Sequence, residues 1–240
     1  MALTGAHAPG ATPLTEEDIR GLKLASVTTQ GELNEVEAQN ILRGQEWALR
    51  SRTRALSDML SDEYLLRLHK EMFGDVWKWA GKFREHDTNI GVPSHLIRTS
   101  LRELYAEVRG WLEYRAYPPD EIAIRLKYRV VTVHSFPNGN GRHGRMLAHI
   151  AMVRHFGLEP LPWGGSALRD PDAKRKAYID ALVAADHRDL APLLDSPGRA
   201  DHDATVVWRA VVSSVKLSLR VSAATSRLRH QAINASKQIP

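Results

Sequence analysis

The stretch HSFPNGNGRHGR, residues 134–145, concentrates the residue types that could carry out chemistry. It begins with His134, whose imidazole can take up a proton near neutral pH and so can serve as a general base. Its second half, residues 139–145, contains glycine, asparagine and arginine close together. Such a composition indicates a site for a negatively charged ligand.

Gly139, Asn140 and Gly141 form a turn with backbone freedom that few other residues have. A glycine-rich turn that opens a helix points backbone N–H groups at one place, where the helix dipole adds partial positive charge, and such a nest binds phosphate. Arg142 and Arg145 follow three residues apart, so both project from the first turn of the helix. Their guanidinium groups can clamp phosphate oxygens with a bidentate geometry that lysine lacks.

The hydrophobic spacing predicts a helix on each side of this loop. Ile122, Leu126, Val130 and His134 recur every fourth residue and share one face of the first helix. The second helix follows the loop and runs to the end of its apolar pattern at residue 156, where a glycine stops it. We therefore expect a mainly α-helical fold in which the loop joins two helices.

The loop resembles the signature HxFx(D/E)GNGRxxR of the Fic domain family. The resemblance implies a Fic-like helical bundle with a small β-hairpin flap next to the active-site loop. It also implies a protein adenylyltransferase that transfers AMP from ATP to a Ser, Thr or Tyr hydroxyl, with His134 as the base. The anion hole would be residues 139–141, with Arg142 and Arg145 on the phosphates. The stretch 32–41 and the motif are, in addition, similar to the subfamily called mobile mystery protein B.

Asn138 departs from the signature, which usually has Asp or Glu there to help hold Mg²⁺. An amide oxygen is a poorer ligand for a hard dication than a carboxylate. The magnesium ion could then be held mainly by phosphates and water, or the site could have lost catalysis. Three alternatives stay open: AMP transfer, transfer from another donor (UMP, phosphate or phosphocholine), and a non-catalytic nucleotide-binding regulatory module.

The predicted helix over residues 28–54 is a candidate regulatory element. Many Fic proteins carry an inhibitory pattern [S/T]xxxE[G/N], whose glutamate pairs with the second motif arginine. Thr28 and Glu32 fit its first five positions, but Leu33 does not fit the sixth. The resemblance makes Glu32 and Glu35 candidate inhibitory residues. The alternative is a solvated acidic helix face.

Residues 87–93 mix β-formers with turn residues. Their position resembles the flap of Fic proteins, which docks the target segment as an added strand. On this reading Asn89, Ile90 and Gly91 would contact the target protein. The alternative is an ordinary hairpin that covers the core.

Composition limits the other function classes. The 240 residues include no Cys, which excludes a disulfide framework and thiol catalysis and suits a cytoplasmic protein. No apolar stretch of about eighteen residues and no signal-peptide pattern occur, so we expect no membrane contact. Residues 196–240 hold seven Lys or Arg and two Asp or Glu, which accounts for the whole net charge of +5. Because residues 1–195 are balanced, we do not expect nucleic acid as a partner.

These patterns predict three segments. Residues 1–14 are polar and Pro/Gly-containing, and we expect them to be disordered. Residues 15–195 form the Fic-like domain, with its core over residues 58–195, and residues 196–240 form a basic tail whose structure the pattern does not determine. The resemblance also implies a bacterial toxin-like activity, which an antitoxin or another regulatory partner would silence.

Overall fold

The computed structural model describes residues 15–50, 55–160, 180–181, 184 and 191–194, and these are mainly α-helical. The helices are α1 (Glu16–Arg20), α2 (Gln30–Arg50), α3 (Asp62–Phe73), α4 (Ile97–Glu113), α5 (Pro119–Val133), α6 (Asn140–Ile150) and α7 (Ala191–Leu194). Short 3₁₀ turns at Leu56–Met59 and Ser94–Leu96 precede α3 and α4, and a π-helical segment, Ala151–Phe156, continues α6. The predicted disordered segment 1–14 and the basic tail 196–240 lie outside the described residues.

Local sequence signals set several helix ends. Thr15 and Asp18 form a reciprocal capping box at α1, in which the Thr15 side chain accepts the Asp18 N–H. Ser61 caps α3 in the same way through the Tyr64 N–H. At the far end of the α6 segment the chain turns at Gly157 with φ +66°, so the predicted stop at that glycine is confirmed.

Close approach between helices depends on two glycines. A Cβ at Gly44 of α2 would lie 2.8 Å from Met72 Cα in α3, so the two backbones nearly touch. A Cβ at Gly144 of α6 would lie 2.8 Å from the Val131 side chain in α5. These two pairs, α2 with α3 and α5 with α6, enclose the core together with α4. The motif loop between α5 and α6 is therefore built into the packed interior.

The predicted β-hairpin flap is wrong for the described residues. Residues 87–93 form bends and irregular loop, and no strand occurs within residues 15–50 and 55–160, where Leu22 and Trp77 form an isolated bridge. The physical reason is Arg84, whose side chain donates to the backbone carbonyls of His86 and Val92. A guanidinium therefore satisfies carbonyl groups that strand pairing would otherwise have satisfied.

No helix in the described ranges is both long enough and apolar enough to cross a bilayer.

We expect Gly44→Ala to destabilise the protein by roughly 1–3 kcal/mol, because the added methyl group must push α2 away from α3. Gly110→Ala is the matched control, since a Cβ at Gly110 in α4 meets nothing within 4 Å. Alanine there should stabilise by up to about 1 kcal/mol through helix propensity. Urea unfolding of both variants measures the difference. Equal effects of the two substitutions would contradict the close α2–α3 contact.

Candidate active site

His134 directly follows α5, where the backbone is left-handed at φ 54° and ψ 56°. This conformation is uncommon for a residue with a side chain, so the surrounding structure must hold it. His134 is 4% exposed. Gly91, at φ +99°, lies against it so closely that a Cβ at Gly91 would clash with the His134 side chain.

Arg84 holds this end of the helix. Its side chain is fully buried, and its Nε donates to the His134 carbonyl oxygen at 2.7 Å. The same guanidinium donates to the backbone of His86 and Val92, so one side chain ties the 86–92 segment to His134. The Arg84 N–H also donates to the Ser135 carbonyl at 3.0 Å. Sequence reasoning missed Arg84, because nothing in the local pattern distinguishes it from a surface arginine.

Burial lowers the pKa of His134 to about 4, and the positive charge of Arg84 acts in the same direction. Both effects disfavour the imidazolium form. The ring is therefore neutral at physiological pH, which is the form that can accept a proton.

The loop enters α6 through Gly139, which has φ +80°. A Cβ at Gly139 would lie 2.8 Å from the Phe73 ring, so glycine is required both for the backbone conformation and for space. The first hydrogen bond within α6 runs from the His143 N–H to the Gly139 carbonyl at 2.8 Å. The N–H groups of residues 140–142 precede that bond, so those of Asn140 and Gly141, two of the three residues predicted as the anion hole, lie at the helix N-terminus.

Asn140 fastens the loop through its side chain. Its Oδ1 accepts the Phe136 N–H at 2.9 Å, and its Nδ2 donates to the Phe136 carbonyl at 2.7 Å. Because both ends of the amide are engaged and the residue is 3% exposed, its side chain holds the loop closed. The Asn140 side chain is therefore not available to a ligand, whereas its backbone N–H lies at the N-terminus of α6, where a phosphate could bind.

His69 of α3 supports the loop from the other side, and sequence reasoning missed it. Its Nδ1 accepts the Gly81 N–H at 3.0 Å, which places the ring proton on Nε2. Nε2 then donates to the Asn138 carbonyl at 3.1 Å. The ring stacks on Phe136 with centroids 3.7 Å apart, and Phe136 is fully buried.

Arg142 points to a partner that the sequence analysis did not identify. Its Nη1 donates to Glu37 of α2 at 2.5 Å, its Nη2 to the Asn138 Oδ1 at 3.3 Å, and its guanidinium lies 4.9 Å from the Phe73 ring centre. The side chain is still 31% exposed. Glu37 could have been noticed as a carboxylate at helical spacing from Leu33 and Gly44, on the buried face of α2.

Arg145 is half-buried on α6, near the position of Gly141, where an added Cβ would come within 3.7 Å of its Nη1. Burial, with a further contribution from the charge of Arg145, lowers the pKa of Lys127 in α5 to about 7. The permanent positive charges beside the loop are therefore those of Arg142 and Arg145 on α6.

Glu32 and Glu35 lie exposed on α2. The Glu32 carboxylate accepts the N–H groups of Thr28 and Thr29 at 2.8 and 3.0 Å, and these hydrogen bonds lower its pKa. Thr29 accepts the Glu32 N–H in return, so this pair caps the start of α2. The carboxylate of α2 that reaches the motif is that of Glu37.

Asn89, Ile90 and Gly91 are exposed and lie in the segment that Arg84 ties to His134. Ile90 is 49% exposed. Of these three candidate target-docking residues, Gly91 lies directly against His134, and all three lie in bends rather than in a strand.

The described residues do not by themselves form a magnesium site. No group of three or more His, Cys, Asp or Glu side chains converges on a point in the ranges that the structure describes. The Oδ1 of Asn138 faces the Gly139 N–H at 2.6 Å and the Arg142 guanidinium. It is therefore already engaged by two donors.

The site is thus formed where two helices meet. A neutral, buried imidazole lies at the end of α5, and α6 begins after a glycine and carries two arginines in its first turns. Residues 59–152 match the model of the Fic/DOC family, so the chain carries a Fic/DOC domain over that range. The narrower resemblance to mobile mystery protein B stays a prediction.

Known relatives agree with this assignment. A probable protein adenylyltransferase, y4lH, from Sinorhizobium fredii is 25% identical over 70% of this chain and 84% of that protein. The protein adenylyltransferase fic-1 of Caenorhabditis briggsae is 29% identical over 56% of this chain. The chain covers only 26% of that larger relative. A uridine 5'-monophosphate transferase of Xanthomonas campestris is 38% identical over 30% of this chain and 15% of its own length.

Solved structures show the same fold. Fic-1 of Caenorhabditis elegans superimposes with a TM-score of 0.53 over 83% of this chain and 61% of that chain, at 24% identity. The N-terminal Fic domain of a Bartonella quintana effector, solved with bound ADP, gives a TM-score of 0.53 over 73% of this chain and 87% of that chain, at 18% identity.

We expect the free energy of unfolding to decrease as the pH falls from about 7 to 5. Burial lowers the pKa of His134, His143 and His149 to about 4 and that of His69 well below its usual range. The unfolded chain, with ordinary histidine pKa values, binds protons first as the pH falls. The loss at pH 5 should be roughly 2 kcal/mol for each of His134, His143 and His149.

Urea unfolding at several pH values between 7.5 and 5 measures this loss. Replacing buried His149 with Gln should remove about one ring's share of the pH dependence. Replacing the exposed His95 with Gln is the control and should leave the dependence unchanged. A stability that does not change with pH over this range would show that the buried rings take up protons in the folded state.

Proposed function

We propose that this protein is a protein adenylyltransferase that transfers AMP from ATP to a Ser, Thr or Tyr hydroxyl of a target protein. The observation that carries the proposal is the pairing of a neutral, buried His134 with the arginine-bearing N-terminus of α6, inside a stretch that fits the Fic signature. Relatives named as protein adenylyltransferases support it.

In the proposed reaction His134 accepts the proton of the target hydroxyl. The hydroxyl oxygen attacks the α-phosphorus of ATP, a new P–O bond forms, and the bond to the β-phosphate oxygen breaks. The N–H groups of residues 139–141 and the Arg142 guanidinium stabilise charge on the phosphate oxygens. Arg145 holds the departing pyrophosphate, whose leaving completes the transfer.

Four further points belong to the proposal. Exposed residues Asn89, Ile90 and Gly91 would contact the target segment, because they lie in the segment that Arg84 links to His134 through its hydrogen bonds.

Magnesium would arrive with ATP, since the described side chains provide few ligands. The activity would be cytoplasmic, as the lack of Cys suggests. A regulatory partner or antitoxin would restrain it.

A second candidate is transfer of UMP. It is favoured by the similarity of 80 residues to a uridine 5'-monophosphate transferase. Parallel incubations with labelled ATP and with labelled UTP separate the two donors. If labelled UTP, but not labelled ATP, supplies the adduct, the donor is UTP.

We expect purified wild-type protein, incubated with ATP and Mg²⁺, to acquire an AMP-sized adduct by intact-mass analysis. His134→Ala should acquire none, because no group then removes the proton of the hydroxyl. His95→Ala, at an exposed position, is the control and should behave like the wild type. An adduct that persists in His134→Ala would contradict the role of His134. If neither ATP nor UTP gives an adduct on the protein or on any protein of a host lysate, two alternatives are left: transfer from another donor, such as phosphocholine, and a non-catalytic nucleotide-binding module.

We expect Asn138→Asp to raise activity and to lower the magnesium concentration for half-maximal rate by roughly tenfold, because a carboxylate binds a hard dication better than an amide does. The substituted carboxylate also lies within reach of Arg142, as the 3.3 Å contact shows. Asn34→Asp on the exposed face of α2 adds the same charge elsewhere and is the control. Superimposable magnesium titrations of Asn138→Asp and wild type would contradict a metal ligand at this position.

A further inference from the structure

Glu37 is a buried carboxylate that lies outside the matched family range, yet contacts the motif. Its side chain is 5% exposed. Its Oε1 accepts the indole N–H of Trp77 at 2.7 Å, and its Oε2 accepts from Arg142 Nη1 at 2.5 Å. Both carboxylate oxygens therefore have a strong donor.

The Arg142 guanidinium contacts three groups of the protein, and part of it is exposed to solvent. Glu37 engages one end of the guanidinium and Asn138 the other, while the Phe73 ring lies 4.9 Å from it. With 31% of its side chain exposed, the group still has an accessible edge. Five N–H donors leave some for an incoming anion.

Two roles are conceivable for Glu37: it could compete with a phosphate for Arg142, or it could orient Arg142 towards the phosphate. Competition requires the carboxylate or the arginine to move away. Trp77 is 1% exposed and donates a hydrogen bond to Oε1 of Glu37, so movement of the carboxylate would break this buried hydrogen bond. The open edge of Arg142 also means that a phosphate need not displace Glu37. The geometry favours orientation.

We propose that Glu37 is a positioning residue, which fixes the Arg142 guanidinium from α2 so that its free edge meets a phosphate of the nucleotide. This inference rests on the proposed function. Asn138 contacts the same guanidinium through its Oδ1, at 3.3 Å from Nη2. An acid at position 138 should therefore replace part of what Glu37 does.

The test is calorimetric titration of the full-length protein with Mg·ATP, and separately with inorganic pyrophosphate. Glu37→Gln keeps the shape and an oxygen for Trp77 but removes the charge, and we expect it to weaken ATP binding about tenfold. In steady-state assays its effect should appear mainly in KM for ATP. Asn138→Asp combined with Glu37→Gln should recover part of the affinity, which a merely structural role of Glu37 does not predict.

Glu46→Gln is the matched control, because Glu46 lies on the same helix, is 50% exposed and pairs only with Arg50 among the described contacts. It should bind ATP like the wild type. Thermal unfolding of each variant checks the fold, and should Glu37→Gln unfold, Glu37→Asp keeps the charge while shortening the reach and should also weaken binding.

Equal or tighter ATP binding by folded Glu37→Gln would overturn the inference, and tighter binding would show that Glu37 competes with phosphate. A wild type that binds pyrophosphate through Glu37-dependent contacts, but gives no nucleotide adduct, would refute the proposed function and leave the positioning role standing. A wild type that binds neither ATP nor pyrophosphate would refute both.

Discussion

The motif loop is buried, so its backbone N–H and C=O groups must find partners inside the protein, and this constraint organises the structure around it. A polar backbone group left unpaired in the interior costs about as much as a lost hydrogen bond. Three side chains provide the partners: Arg84 for the His134 carbonyl, Asn140 for both backbone groups of Phe136, and His69 for the Asn138 carbonyl. Only one of the three belongs to the loop and α6. The loop conformation is therefore a property of several elements packed together.

The same burial determines which side chains of the site carry a charge. Desolvation penalises the imidazolium form, so His69, His134 and His143 are neutral, whereas a guanidinium stays charged at any physiological pH. The positive charge offered to an anion then comes from Arg142 and Arg145 and does not vary with pH. A neutral imidazole and permanently charged guanidinium groups can thus coexist a few residues apart in the same buried loop.

Sequence patterns predicted what depends on neighbours along the chain. The helices on both sides of the motif and the stop at Gly157 are each set by residues a few positions apart, and the structure confirms them. Glu37 and Arg142 are 105 positions apart, and such contacts leave almost no local trace. The flap prediction failed for a related reason: β-formers in residues 87–93 favour a hairpin locally, but the buried Arg84 donates to the carbonyls of His86 and Val92.

The position of Glu37 also bears on where the functional unit begins. The family match starts at residue 59, after α2, which would leave α2 as an accessory helix. Yet α2 packs closely on α3 at Gly44 and supplies the carboxylate of the ion pair with Arg142. A partly buried ion pair is costly to break from either side, so the motif arginine and α2 stabilise each other's placement. On physical grounds the structural unit that contains the motif therefore begins with α2, because α2 supplies both a packing surface for α3 and the carboxylate that pairs with Arg142.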